Sequence, residues 1–271
     1  LLDESAERIG LLPTYPSAIC LAISMLSVAA WANGAPIISS RQSVQWLGRF
    51  DPAQEEIPAP WQLLRFDQDI PPTRYSLRDV DGTGAVHADA HASMALLARP
   101  LQIDLSATPV LCWRWRIDAV VQDADLDQKS GDDYAARVYV AFDIPNEQMS
   151  LGLRTKLKMG RMLFGDQLPD AAINYVWDNR HPVGTRAPNA YTDRTQMIVA
   201  RSGNDDAGHQ WQSERHNVLL DAHAAFPGVT LNAVLLAIGS DTDNTGATAS
   251  AAFADLHFVG VDQPCAFGPA G

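Results

Sequence analysis

Val110–Asp118 reads Val-Leu-Cys-Trp-Arg-Trp-Arg-Ile-Asp, and its alternation decides the fold. Successive side chains on a β-strand point to opposite faces. Trp113, Trp115 and Ile117 therefore share one face, and Cys112, Arg114, Arg116 and Asp118 the other. A strand built this way presses its apolar face on a core and turns its charged face to water, as strands of antiparallel sheets do. Tyr134–Asp143 repeats the pattern. Tyr134, Ala136, Val138 and Val140 fall on one side, and Asp133, Arg137, Tyr139 and Asp143 on the other.

Working upstream, Thr73–Val80 is strand-like and runs into Asp81-Gly82-Thr83-Gly84, where glycine supplies the positive φ of a tight turn. Ala85–Ala90 and Ser93–Arg99 follow as two further strands. Downstream, Ile173–Trp177, Thr195–Arg201, Leu231–Ser240 and Thr248–Val261 read the same way. Asn217–Phe226 alone has clear helical spacing, with Pro227-Gly228 as a stop; Leu151–Phe164 is ambiguous. Roughly ten short strands punctuated by turns predict an all-β fold, an antiparallel β-sandwich or jelly roll with one or two short helices. No internal repeat or second composition regime divides the chain. The expected organisation is a signal peptide over 1–32, an N-terminal leader over 33–60 lying on the surface, and a single domain over 61–265.

The leader expectation rests on Ala18–Ala30, an apolar run of signal-peptide length, and on Ala30-Trp31-Ala32, a small-x-small cleavage pattern that places the mature start at Asn33. Asp3, Glu4 and Glu7 before it are unusual for a signal and point to a misplaced translation start. Export leaves no stable membrane span after cleavage. Cys20 would leave with the signal, and Cys112 and Cys265 would remain, either as one disulfide or as separate thiols. The chain has 271 residues and a formal charge of −12, which argues against a nucleic-acid backbone as partner.

Three acidic, aromatic-flanked segments carry candidate chemistry. Asp241-Thr242-Asp243-Asn244-Thr245-Gly246 matches the first half of a calcium loop, but Ala252 stands where the bidentate Glu belongs. Ca2+ would need Asp255 or a backbone carbonyl beside Asp241 and Asp243; the alternative is a polar hairpin turn. Asp133 is expected on the face of Arg137 and Tyr139, a set able to bind sugar hydroxyls or to form a structural ion pair. Trp177-Asp178-Asn179, followed by His181, offers a ring for stacking and polar groups for hydroxyls, or else a core Trp with turn residues. Glu214-Arg215-His216 is expected to cap and charge the following helix; the alternative is a supply of acid-base groups. No serine-hydrolase elbow, zinc-protease motif or phosphate loop is complete.

Trp113–Arg116, Gly131–Tyr139, Asn174–Trp177, Pro188–Tyr191 and Asp241–Gly246, taken in order, resemble an uncharacterised family of exported bacterial proteins, the domain of unknown function three thousand and forty-seven. The resemblance covers about Trp61–Val261 and implies a Gram-negative source and a periplasmic or secreted location. It implies no activity. More loosely, Ala252–Phe258 is similar to the closing strand of jelly-roll carbohydrate-binding modules of the galactose-binding type, where an Asp often helps hold calcium.

The function expected from these readings is binding of a glycan or other small polar, polyhydroxylated ligand by Arg137, Tyr139, Trp177, Asp178 and Asn179. The alternatives are an envelope polysaccharide hydrolase or lyase using Asp133, Asp178 or His181, and a structural or adaptor protein of the envelope.

Overall fold

The protein is described from a computed structural model over residues 44–164, 169–204 and 210–268. The expected signal peptide and its cleavage site lie outside those residues. In chain order the strands are β1 (Gln45–Gly48), β2 (Gln62–Leu64), β3 (Arg74–Val80), β4 (Thr83–His91), β5 (Leu96–Pro100), β6 (Val110–Ile117), β7 (Tyr134–Asp143), β8 (Ala171–Asp178), β9 (Arg186–Asn189), β10 (Thr192–Ser202), β11 (Gln212–Asn217), β12 (Asn232–Asp241) and β13 (Thr248–Val259). The helices are α1 (Leu151–Phe164) and α2 (Val218–Ala225). All of these lie in one unit, Arg41–Gly271.

The strands form two sheets. The front sheet runs β11-β6-β13-β4-β3, with β1 beside the far half of β13. The back sheet runs β2-β5-β12-β7-β8-β10-β9. All described pairings are antiparallel except β8–β10, which is parallel because β9 intervenes and hairpins onto the outer edge of β10. The antiparallel expectation thus holds with one exception. Consecutive strands β4 and β5 lie in different sheets, so the chain crosses the sandwich over Ala92–Ala95.

The inward faces meet as the alternation predicts. Trp113, Trp115 and Ile117 have no exposed surface. Trp113 meets Trp115 edge-on at 5.4 Å, and across the sandwich Tyr175 lies 5.4 Å from Trp113 and Trp177 5.6 Å from Trp115. These large rings supply the apolar area that holds the sheets together. The polar tip of Trp115 donates to Glu214 Oε1 at 3.1 Å, and the Tyr175 hydroxyl donates to Asp221 Oδ2 at 2.7 Å, so neither is left unpaired.

Local signals account for the connections. Asp81 and Gly82 both have positive φ and form the two-residue turn joining β3 to β4, while Thr83 and Gly84 already belong to β4. Helix α2 starts where Asn217 accepts from Leu220 N–H, close to the expected start. The ambiguous stretch Leu151–Phe164 is helical as α1. The segment read as a surface leader instead contributes to the fold. Its residues Gln45–Gly48 pair with β13, and Phe50 is buried in the core. Glu214-Arg215-His216 lies on β11 and not at a helix cap. Cys112 and Cys265 form a disulfide with Cα atoms 5.8 Å apart. Among the described residues no helix is long and apolar enough to cross a membrane.

Candidate functional site

The predicted site residues divide into three places. The first surrounds Arg137. The β7–β12 register runs from Arg137↔Gly239 to Tyr134↔Asp241, so Ala135 and Ala136 together oppose Ser240 alone. This bulge puts both alanines in the core and turns Tyr134 to the outer face of the back sheet. The alternation argument, which placed Tyr134 with Ala136 and Val138, fails there for that reason. Arg137 is buried and lies over Tyr134, with its guanidinium carbon 4.5 Å from that ring centroid. It donates to Tyr139 Oη at 2.6 Å and to the Asp132 carbonyl at 3.0 Å, and its Nε stands 2.9 Å from Asp241 Oδ1.

Asp133 sits beside this group, fully buried, and accepts from Asn244 N at 3.3 Å and from Thr245 N and Oγ1 at 2.6 and 2.7 Å. It thereby shapes the Asp241–Gly246 turn. Gly131 is required nearby, since a Cβ there would stand 2.5 Å from the Asp125 backbone nitrogen. Asn189 donates to Asp132 Oδ2 at 2.8 Å, and Asn244 donates to the Tyr191 hydroxyl at 3.2 Å. Three of the resemblance-bearing segments therefore meet at one end of the back sheet. Burial raises the Asp241 carboxyl well above its ordinary range, Arg137 works against that, and Asp132, Asp133 and Asp243 add to it. Asp243 is raised by burial first and by Asp133 second. One carboxylate oxygen from each of Asp133, Asp241 and Asp243 lies within 4.8 Å of the others, a hard-oxygen donor set of the kind calcium takes.

The second place holds Trp177, Asp178, Asn179 and His181, and it corrects the expectation of a ligand surface. Trp177 is 1 % exposed and belongs to the core. Asp178 is fully buried; its Oδ1 accepts from Arg180 N at 2.7 Å and from His181 N at 2.5 Å, and it pairs with the His181 ring at 3.2 Å. Asn179 donates to the carbonyls of Gln122 and Ala124 at 2.8 and 2.9 Å. These residues pin the loop that carries Asp132 and Asp133. They do not line either concavity described below: Trp177 is in the core, and Asp178 Oδ1 and the Asn179 amide nitrogen are spent on backbone. Both Asp133 oxygens accept from the Asp241–Gly246 turn, at Asn244 and Thr245.

The third place corrects the metal set. Asp255 lies on the front sheet at a bulge of β13 and is held by Arg114 Nε at 2.7 Å and by Gly268 N at 3.2 Å. It stands with Arg114 and not with Asp241 and Asp243. The cysteine–histidine group Cys112, Cys265 and His257 is likewise no metal site, because both sulfurs are used in the bridge.

Two concavities lie elsewhere among the described residues. On the outer face of the front sheet, Arg49, Asp51, Thr83, Arg114 and Asp255 line a concavity of about 370 Å³. Beside it, Arg78, Asp79, Asp81, His87, Arg116 and Ser250 line one of about 270 Å³. The Asp81-Gly82 turn contributes to both. Ala251 and Ala252 line the second, and Ala85, Ala252 and Ala254 form a buried cluster with Trp211 packed against it and the Arg114 guanidinium carbon 5.4 Å from the Trp211 ring. The signal for this face was present in the sequence, in the charged side of Val110–Asp118. Nothing local said that its neighbours across the sheet would be alanines and leave a trough.

A family model described as Protein of unknown function (DUF3047) matches residues 59–257. The chain belongs to that family. The DUF3047 span begins after β1 and ends within β13, so it takes in both sheets. No curated protein matches the chain. Among solved structures, the family 11 carbohydrate-binding module of the cellulosomal cellulase Lic26A-Cel5E of Clostridium thermocellum is similar, with a TM-score of 0.37 and 6 % identity over 81 % of this chain and 95 % of that one. A likeness at that level transfers no ligand to this DUF3047 protein.

Proposed function

We propose that this DUF3047 protein is exported to the periplasm or beyond and binds a glycan along the outer face of the front sheet. The observation that carries the reading is the pair of adjoining concavities walled by arginines and aspartates, with Ala251 and Ala252 lining the second. Planar guanidinium forks and carboxylates match vicinal hydroxyls as donors and acceptors. The Cys112–Cys265 bridge supports an oxidising compartment. Affinity electrophoresis in gels containing envelope or exopolysaccharides tests the reading. Mobility should be retarded by at least one polymer, and Arg116→Ala should weaken binding roughly tenfold, the loss of about one charge-assisted hydrogen bond. Unretarded migration in every polymer, or an Arg116→Ala protein that binds as the parent does, would sink it.

Calcium belongs to this proposal as a structural ion held by Asp133, Asp241 and Asp243. The three carboxylates supply the donors, and a cation would oppose the burial and, after it, the Asp133 repulsion that raise Asp243. An ion bound to the folded state alone raises the melting temperature. Melting curves with added calcium and with chelator should therefore differ, and Asp243→Asn should remove the difference. Superimposable curves would leave Arg137 as the charge partner of the cluster.

A further inference from the structure

His87, Asp89 and Ser250 form a chain of contacts on the outer face of the front sheet. His87 and Asp89 are two apart on β4 and so share a face, and Ser250 is the cross-strand partner of Asp89 on β13. Ser250 Oγ lies 3.2 Å from His87 Nε2, and Asp89 Oδ2 lies 3.3 Å from His87 Nδ1. Arg78 favours one tautomer. Its Nη1 stands 3.5 Å from Nε2 and can only donate, which favours a lone pair on Nε2 and the proton on Nδ1, toward Asp89. With Nε2 bare, the serine hydroxyl donates to the ring. Arg78 Nη2 also donates to Asp89 Oδ2 at 3.0 Å and holds that carboxylate in place. The Nδ1 contact is not aligned as a full hydrogen bond, and such contacts commonly tighten when a substrate docks.

We propose that Ser250, His87 and Asp89 make this face an ester hydrolase, with Ser250 as nucleophile, His87 as general base and Asp89 as the residue that positions the ring. The order of contacts is nucleophile, base, orienting carboxylate, the arrangement by which such sites are recognised irrespective of fold or sequence order. Ser250 and His87 line the concavity of about 270 Å³, whereas Asp89 stands behind the imidazole. Burial lowers His87 below its ordinary value; Asp89 and Asp118 oppose this and Arg78 adds to it. The ring is thus neutral and able to accept a proton at neutral pH. Arg78 and Arg116 line the same concavity, paired with Asp89 and Asp81, and each guanidinium has further N–H donors to offer an oxyanion formed there.

The reaction balances without a cofactor. Ser250 Oγ bonds to the ester carbonyl carbon as its proton passes to His87 Nε2. The carbon–oxygen bond to the alcohol breaks, and the leaving oxygen takes that proton. Water then attacks the acyl-serine, giving its proton to Nε2, and Oγ is protonated again as the acid departs. The sum is ester plus water to acid plus alcohol.

This inference shares its trough with the glycan reading and stands without it, so the two fail separately. The test uses p-nitrophenyl acetate and a fluorophosphonate on the full chain. The expected results are turnover of the ester and covalent modification of the peptide carrying Ser250. Ser250→Ala should lose turnover by on the order of a thousandfold or more. Asp89→Asn should lower kcat and shift the acidic limb of the pH profile, which a merely structural role would not do. An unlabelled Ser250 in the unaltered protein overturns the proposal whatever the variants do. So does Ser250→Ala with undiminished turnover. Glycan binding without hydrolysis removes this inference alone, and hydrolysis without glycan binding removes the other reading alone.

Discussion

Arg137 shows how a residue chosen for a ligand becomes part of the scaffold. Composition and alternation placed it beside Tyr139 on an outward face, where a guanidinium and a phenol can meet a sugar. In the fold its side chain is 2 % exposed and its donors are directed to Tyr139, Asp132 and Asp241. Burying a charge is tolerated only with partners, and removing one partner strands the others. Arg137→Met should therefore destabilise the protein by about 3–5 kcal/mol in urea unfolding. A loss under about 1 kcal/mol would mean that the group is hydrated and open to ligand. Trp177 gives the same lesson in apolar form, because a large ring beside Asp and Asn suits a sugar site and a core equally, and only its contact with Trp115 decides.

Among the elements, β13 carries the most information per residue. Its first half pairs with β4 and its second with β1, and a bulge at Asp255 lies between. Past the bulge His257 is buried, with Nδ1 donating to the Asp255 carbonyl at 2.6 Å and Nε2 accepting from Ala266 N at 2.9 Å. A second ring proton would displace the Ala266 bond. Burial accordingly lowers His257, with Asp255 opposing and Arg49 adding to the shift. The unfolded chain then binds the proton first, at about pH 6.5. This contribution to stability is complete above that pH and is lost as pH falls toward the folded value. His87 acts with the same sign. Melting temperatures taken from about pH 7.5 down to 5 should fall, and His257→Gln should flatten part of that slope. A flat profile for the unaltered protein would refute the linkage. None of this was legible beforehand. Alternation finds a strand but cannot see a bulge, since the extra residue depends on what the partner strand offers. The same blindness misplaced Tyr134.

At the scale of the molecule, the disulfide links β6 to the segment after β13 across 153 residues of chain. Closing so long a loop restricts the unfolded state strongly, and the contribution expected is about 2–5 kcal/mol. Urea midpoints with and without reductant should differ accordingly. Coincident midpoints would mean that the thiols are free in solution. The bridge also explains why Cys112 is on the charged side of β6. That side is covered at this point by the C-terminal segment, so Cys112 is buried there.

The sequence by itself determined the all-β class, the inward faces of β6 and most of β7, the hairpin at Asp81-Gly82 and the helix after Asn217. Each of these rests on periodicity or turn chemistry within a few residues. Only the tertiary structure decided that Arg137 is buried, that Asp255 pairs with Arg114, and that Gln45–Gly48 completes a sheet. It alone placed His87, Asp89 and Ser250 together, because β4 and β13 are joined across more than a hundred and fifty residues. Side-chain alternation says which way a residue points. What it points at is set by strand pairing between distant segments, and that pairing is fixed by the burial of whole faces and not by any local motif.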